Sequence, residues 1–268
     1  MTSFEQTRDH TADPPTGSGL EQLLCAAEHG DEGAVKLLLE RQDINPNDPD
    51  NKSGRTPLLL SAEHGHEGVV KLLLQREDID PNKADTKYGQ TPLERAAHGG
   101  YEGVVKLLLG RKDININAPG AESNWTPLGG AAWVGHEGIV KLLLQREDVN
   151  PNTADTIYNL TPLGRAAVKG HKGVVKLLLE REDINPNSGN TKYNLTPLGW
   201  AAEKGHKGVV ELLLEREDVN PNMADTKYGR TPLVRAVKNG HLGVAALLLT
   251  REDINPNTAD ATRGGSPL

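Results

Sequence analysis

The sequence is poor in aromatic and sulfur-containing residues. Its 268 residues include one Phe, three Trp, five Tyr, two Met and a single cysteine, Cys25. One cysteine cannot form an intramolecular disulfide and indicates no metal cluster, so we expect an intracellular, reducing setting, the cytoplasm in particular. The shortage of aromatic residues also argues against one large globular core, because only a stack of small units can be stable with a thin apolar layer per unit.

Long apolar runs and excess positive charge are also missing. No stretch approaches the roughly 20 apolar residues of a membrane span, and residues 1–20 lack the continuous apolar segment of a secretory signal. These 20 residues are instead rich in Pro, Gly and Ser, so we interpret them as a flexible tail. The formal net charge of −7 at pH 7 argues against binding to nucleic acid or to an anionic membrane.

What the sequence contains is a repeat of 35 residues. An altered first copy starts at Glu21, and Ser266-Pro267-Leu268 opens an eighth. Between them, Thr-Pro-Leu recurs at Thr56, Thr91, Thr126, Thr161, Thr196 and Thr231. Self-similarity at this period indicates a repeat architecture. We therefore predict one domain over residues 21–268, whose seven units start near residues 21, 56, 91, 126, 161, 196 and 231.

Each unit carries the signals of two short helices and an extended finger. In the fifth unit, Thr161 is a good helix N-cap, and Pro162 suits the first helical position. Gly170 is typical of the residue that ends a helix. A second, leucine-rich helix begins near His171, and the polar residues 187–194 read as a finger. Two such helices can bury their leucines only by stacking on neighbouring units.

The unit resembles the ankyrin repeat, whose pattern includes Thr-Pro-Leu-His-x-Ala, a Gly-His pair and a leucine-rich second helix. The resemblance implies an all-α solenoid of seven helix-turn-helix units with extended fingers, which binds protein partners inside cells without catalysis or a cofactor. The period is 35 rather than 33, and the histidine position of the motif holds Leu59, Glu94, Gly129, Gly164, Gly199 and Val234. This longer variety resembles the ankyrin arrays of fungal proteins, which often form the sensing part of larger receptors.

The copies differ mainly on the first helix, whereas the lysines of the second helix hardly vary. The variable positions lie three to five residues apart and share a helix face, which lines the concave groove in ankyrin-like stacks. We predict that a protein partner binds there, although exposed positions can also simply drift. The expected contact residues are Glu63, Arg95, His98, Trp133, Val134, Arg165, Lys169, Trp200, Lys204, Arg235 and Lys238. Trp133 and Trp200 fit interface hot spots, or they pack against neighbouring glycines.

The charge of the predicted groove changes sign along the stack. Its early units are acidic through Glu28, Glu32, Glu63 and Glu67, and its later units are basic through Arg165, Lys169, Lys172, Lys204, Lys207, Arg235 and Lys238. A partner of opposite polarity would be steered into register. The alternative is a solvated face with patchy charge.

The remaining repeated residues have structural interpretations. His66, His136, His171, His206 and His241 share one position, and adjacent copies about 10 Å apart cannot share a zinc ion, so we expect hydrogen bonds at the turn between the helices. We expect the series Arg41 to Arg251 and Asp43 to Asp253 to form a charge ladder between units. Tyr88, Tyr158, Tyr193 and Tyr228 should pack finger against finger. The finger at 118–124, which ends at Trp125, should be irregular.

A rival function is a rigid spacer or a self-associating scaffold with no cognate ligand; an enzyme is not expected. We expect a monomer. The first unit begins with Glu21-Gln22, which suits a polar end. The last unit keeps Val244 and Leu247–249 with little sequence after them to cover them. Terminal repeats need a polar outer face, so we predict that the chain belongs to a longer array, or that this unit frays or self-associates weakly.

Overall fold

In a computed structural model, the chain is described over residues 17–121, 124–190 and 192–256. These residues form fourteen helices and no strand. The helices are α1 (Gly19–His29), α2 (Glu32–Leu39), α3 (Pro57–Glu63), α4 (Glu67–Leu74), α5 (Pro92–Gly99), α6 (Glu102–Leu109), α7 (Pro127–Val134), α8 (Glu137–Leu144), α9 (Pro162–Lys169), α10 (Lys172–Leu179), α11 (Pro197–Lys204), α12 (Lys207–Leu214), α13 (Pro232–Lys238) and α14 (Leu242–Leu248). Consecutive helices pair into seven units, which confirms the predicted all-α solenoid.

The first helix of each later unit begins where its sequence predicts. Thr161 caps α9 by accepting a hydrogen bond of 3.2 Å from the Gly164 N–H, and Pro162 occupies the first turn. The first unit differs, because α1 begins at Gly19 and is capped by Ser18 in a reciprocal arrangement with Glu21. This start lies two residues before the predicted one. The rest of the predicted tail, residues 1–16, and the eighth copy at residue 266 lie outside the described residues.

Burial follows the helical pattern within each unit. In α10 the side chains of Val174, Val175 and Leu178 are buried, while Lys176 is exposed. First helices pack side by side along the stack, and second helices do the same. Each unit therefore contributes a thin apolar layer that only its neighbours can cover. No helix within the described ranges combines the length and apolar character needed to cross a bilayer.

The turn between the two helices of a unit is sealed by the histidine of the next unit. Gly135 has a φ of +96°, and a Cβ there would lie 2.7 Å from the His171 ring. The His171 Nε2–H donates to the Trp133 carbonyl at 3.0 Å, and the four other predicted histidines bond in the same way. The predicted structural role is confirmed. In the described part of the chain, no three His, Cys, Asp or Glu residues could hold a metal ion.

The predicted charge ladder between units is wrong, because each arginine pairs within its own unit. Arg181 Nη2 lies 2.7 Å from Asp183 Oδ2, a carboxylate only two residues away. The contacts that cross the boundary between two units are hydrogen bonds from side chains to backbone groups. Arg181 Nη1 donates to the Leu144 carbonyl at 3.3 Å. Asn152 bonds both to the Asp183 carbonyl and to the Asn185 N–H.

The fingers are stabilised by hydrogen bonds to side chains such as that of Asp155, and adjacent fingers are joined by backbone hydrogen bonds. Asp155 accepts hydrogen bonds from the N–H groups of Tyr158 and Leu160. Adjacent fingers meet through bonds such as the 2.8 Å contact from the Thr226 N–H to the Tyr193 carbonyl. Tyr158 is 55% exposed, so the predicted packing of the tyrosine rings between fingers is wrong at this position. The irregularity predicted for the 118–124 finger falls partly on residues 122 and 123, outside the described residues.

Candidate partner-binding face

We define the first-helix face as the surface formed by α3, α5, α7, α9, α11 and α13 together with the finger residues beside them. The eleven residues predicted to contact a partner fall into three groups there. The exposed ones are Val134, Lys169, Lys204 and Lys238. The half-buried ones are Glu63, Arg95, His98, Trp133 and Trp200. Arg165 and Arg235 are buried.

Arg165 and Arg235 correct the expectation that the whole variable face is open to a partner. Arg165 is 2% exposed, and its Nη2 lies 3.0 Å from Asp155 at the base of the preceding finger. Arg235 reaches Asp225 in the same way at 2.8 Å and also contacts Glu203. Burial lowers the pKa of Arg165 to about 10, so it remains a cation at neutral pH. Both side chains tie a first helix to its finger.

The predicted charge polarity is also partly neutralised within the chain. Glu63 pairs with Arg55 at 3.2 Å and with Arg95 at 3.6 Å. Lys172 and Lys207 both lie near Glu211, at 3.6 and 3.9 Å. Among the later basic residues, Lys169, Lys204 and Lys238 remain exposed on the first-helix face.

A cluster of aromatic rings and cations occupies the middle of the first-helix face. We call His98, Trp125, Trp133, Arg165 and Lys169 the aromatic cluster. The Trp125 ring lies 5.7 Å from the His98 ring and 5.9 Å from the Trp133 ring. The Arg165 guanidinium lies 3.7 Å from the centre of the Trp125 ring, and Lys169 Nζ lies 4.0 Å from that of Trp133. These contacts fix the rings through cation–π attraction.

Trp125 was not among the predicted contact residues. The sequence signal was its place at the end of a finger, where the units on either side carry Gln90 and Leu160. Two glycines of α7 lie against the side chains of adjacent units. A Cβ on Gly129 would lie 3.8 Å from Arg165 Nε, and one on Gly130 would lie 3.7 Å from Glu94 Oε1. These are ordinary van der Waals distances, so the two glycines border the cluster without being required for it.

Glu94 lies beneath the aromatic cluster in an unusual environment. Its side chain is fully buried, and neither carboxylate oxygen meets hydrogen-bond geometry, although the Gln90 side chain lies close enough to oppose the rise in pKa. Burial raises the pKa of Glu94 to about 7, although the positive charges of Arg95 and Arg165 oppose this. Burial also lowers the pKa of His98. The carboxyl group therefore changes its charge near neutral pH.

Cys25 and His29 form a contact that could be mistaken for a catalytic pair. Cys25 is exposed, and its Sγ lies 3.6 Å from His29 Nδ1. That nitrogen lies closer to the Cys25 carbonyl, at 2.8 Å. A carbonyl only accepts, so Nδ1 must carry the proton and cannot serve as a base for the thiol. The contact joins two residues that lie one helical turn apart on α1.

Comparison with known proteins identifies one family. A family model described as ankyrin repeats (3 copies) matches residues 23–119, 116–190 and 182–260. Among curated proteins, none matches this chain.

Proposed function

Because this chain belongs to the ankyrin repeat family, we propose that it holds a protein partner along the first-helix face of its middle and later units. Ankyrin repeats are generally non-enzymatic protein–protein interaction modules. On the resemblance to fungal arrays, we extend the proposal to the sensing part of a larger intracellular receptor. The residues offered for contact are those of the predicted set that stay accessible, together with Trp125.

The observation that supports this proposal is the aromatic cluster with its neighbour Val134. Val134 is 39% exposed, and Trp125 and Trp133 are half-buried. Interface hot spots are enriched in tryptophan and lie where water is excluded on binding. Rings already held by Arg165 and Lys169 lose little conformational entropy when a partner covers them. This favours a binding surface over an inert spacer, which has no use for partly exposed tryptophans.

The test compares two sets of charge changes in the 268-residue chain. One variant carries Val134→Asp, Lys169→Glu and Lys204→Glu on the first-helix face. The control carries Lys106→Glu, Lys141→Glu and Lys176→Glu, all exposed on second helices. Arg165 is left unchanged, because reversing a buried charge would disrupt folding.

Both variants are used as baits in extracts of the source cell, and each partner recovered with the unchanged chain is then purified for affinity measurement. We expect the first variant to bind at least tenfold more weakly and the control to bind within about twofold, since central contacts dominate binding energy. Equal binding by both variants would refute the first-helix face. A chain that retains no partner in any form would favour the rigid-spacer alternative.

A further inference from the structure

Five buried polar atoms that meet no hydrogen-bond geometry lie together beneath the aromatic cluster. They are both carboxylate oxygens of Glu94, Nε of Arg95, Nδ1 of His98 and Nη1 of Arg165. They belong to α5 and α9, on either side of α7, where a Cβ on Gly130 would lie 3.6 Å from the His98 Cβ and 3.7 Å from Glu94 Oε1. Buried polar atoms in folded proteins nearly always have partners. Arg95 and Arg165 therefore hold unused N–H donors near a carboxyl group that lacks them.

Glu94 is faced by three charged groups and one amide. Its burial raises its pKa to about 7. Arg95 on its own helix, the Gln90 side chain and Arg165 on α9 favour the ionised carboxyl but do not offset burial, and Asp85 at the base of the same finger opposes ionisation. The carboxyl group is therefore mainly protonated below neutral pH and mainly ionised above it.

The helices packed against α5 bring no other group to Glu94 that changes charge near neutral pH. In α7 no side chain is ionisable. Burial, together with the charges of nearby cations, lowers the pKa of His98, so its ring is neutral near pH 7. The other ionisable side chains of these helices are Glu102 and Lys106 of α6, both exposed, and Glu63 of α3, which pairs with Arg95.

Arg165 connects Glu94 to the surface of the aromatic cluster. Its guanidinium lies 3.7 Å from the centre of the Trp125 ring and 5.8 Å from that of Trp133, and it pairs with Asp155. An ionised Glu94 would attract this guanidinium from below, because a buried carboxylate without donors is costly and Arg165 Nη1 is an unused donor. Movement of Arg165 toward Glu94 would release the Trp125 ring. The ring arrangement in the structure therefore belongs to the protonated form of Glu94.

We propose that Glu94 is a proton-controlled positioning residue for the aromatic cluster, so that the first-helix face binds its protein partner more tightly when Glu94 is protonated. This inference rests on the proposed function, because it takes the partner to cover Trp125 and Trp133. A partner that selects the protonated arrangement shifts the protein toward it, and the coupling is reciprocal. Binding above neutral pH therefore takes up a proton, and affinity falls as the pH rises through neutrality.

The first test follows tryptophan fluorescence and needs no partner. Trp200→Phe removes the one tryptophan outside the aromatic cluster, so the emission of the 268-residue chain then reports Trp125 and Trp133. In this background, emission is measured from pH 5.5 to pH 8.5, with and without Glu94→Gln, His98→Gln or Glu180→Gln. Urea unfolding at both ends of the range checks that each variant folds.

We expect a transition that involves one proton and is centred within about one pH unit of 7, as the pKa of Glu94 requires. It should be absent from Glu94→Gln, because an amide does not ionise. It should persist in His98→Gln and in the exposed control Glu180→Gln. Emission that does not change with pH would refute the proposal. A transition that survives Glu94→Gln, or that only His98→Gln abolishes, would also refute it.

The second test measures binding with twelve-residue peptides selected on phage at pH 6 against the 268-residue chain. Peptides that bind Val134→Asp at least tenfold more weakly are kept as ligands of the first-helix face. Peptides that contain His are set aside, because they titrate in the same range. Dissociation constants are then measured at pH 6 and pH 8.5 for the unchanged chain, Glu94→Gln and Glu180→Gln.

The unchanged chain and Glu180→Gln should bind about tenfold more weakly at pH 8.5 than at pH 6, because a group with a pKa near 7 is mostly protonated at the lower pH and ionised at the higher one. Glu94→Gln should bind with affinities that agree within about twofold. Equal pH dependence in the unchanged chain and in Glu94→Gln would refute the proton control and leave the proposed function standing. A selection that yields no peptide sensitive to Val134→Asp would count against both.

Discussion

At the scale of single residues, Glu94 and Arg165 are two neighbouring buried ionisable groups that differ in whether they have a hydrogen-bonded partner of opposite charge. Arg165 has a carboxylate partner, Asp155, at 3.0 Å, and both groups are enclosed. Glu94 has Arg95, Arg165 and the Gln90 side chain nearby, but neither carboxylate oxygen meets hydrogen-bond geometry, and Asp85 opposes its charge. A buried charge without hydrogen bonds is costly, so Glu94 keeps its proton to higher pH.

This environment makes stability depend on pH through Glu94. Its pKa is raised from 4.5 to about 7 in the folded chain. The unfolded chain loses the proton near pH 4.5 while the folded chain keeps it, so stability falls as pH rises from about 4.5 to about 7. A difference of this size corresponds to about 3 kcal/mol. We expect Glu94→Gln to remove that fall.

The measurement is urea unfolding of the unchanged chain and of Glu94→Gln at pH 4.5 and pH 7.5. The free-energy difference between the two proteins should shift by about 3 kcal/mol in favour of the variant at the higher pH. Glu180→Gln, at an exposed residue that follows α10, should show no such shift. A pH-independent difference for Glu94→Gln would refute the buried-carboxyl account.

At the scale of elements, units are joined by polar side chains as well as by leucine layers. Asn152, in the loop after α8, donates from Nδ2 to the Asp183 carbonyl at 2.7 Å and accepts from the Asn185 N–H at 2.9 Å. Asn117 and Asn187 make the same pair of bonds to the units that follow them. Each loop is thus fixed against the next, which sets the spacing of the helices above it.

Asn152→Ala should weaken the contact between the fourth and fifth units. It removes two hydrogen bonds, each with a net value of roughly 1 kcal/mol, and water can partly replace them because the site is exposed. We expect a loss of about 1–2 kcal/mol in the free energy of unfolding, measured in urea. Gln145→Ala, at an exposed residue directly after α8, should change it by less than about 0.5 kcal/mol. Similar losses for both variants would show that the hydrogen bonds of Asn152 contribute nothing to stability.

At the scale of the whole molecule, the stack is coupled only between neighbours, so its two outer units behave differently from the inner ones. Of the four residues expected to lack cover in the last unit, Val244 and Leu248 are buried, whereas Leu247 is half-buried and Leu249 is 41% exposed. Leu242 is 74% exposed. At the other end Leu37 is 67% exposed on α2, so the predicted polar surface of the first unit is wrong there. Among the described residues, the first and the seventh unit each pack against one neighbouring unit, whereas every other unit packs against two.

Hydrogen exchange should report this difference directly. We expect amides of α14 to exchange at least tenfold faster than those of α10, because local opening of an outer unit breaks one interface and opening of an inner unit breaks two. The measurement is exchange followed by mass spectrometry at two protein concentrations. Equal protection at high dilution would contradict the fraying prediction. Protection that rises with concentration would indicate self-association through this unit.

Much of this architecture is encoded locally and could be predicted without coordinates. Thr161 and Pro162 start a helix because their own backbone chemistry favours it, and a glycine such as Gly135 supplies the positive φ of the turn. The 35-residue period repeats these signals, and the leucine layers then require stacking. The role of the histidines was also predictable, since their spacing excludes a shared metal ion and leaves a backbone hydrogen bond.

The chemistry of the first-helix face was decided by tertiary structure. Arg95, Arg165 and Arg235 occupy the same position in their units, each ten residues after an aspartate. Arg165 and Arg235 fold back onto those aspartates and are buried, whereas Arg95 pairs with Glu63 of the preceding unit. The choice depends on which side chains the neighbouring units place within reach. The sequence alone determined the stack of helical units, because the signals for helices and turns are local. Only packing determined which variable side chains face outward, because the burial of a side chain depends on residues 30 or more positions away.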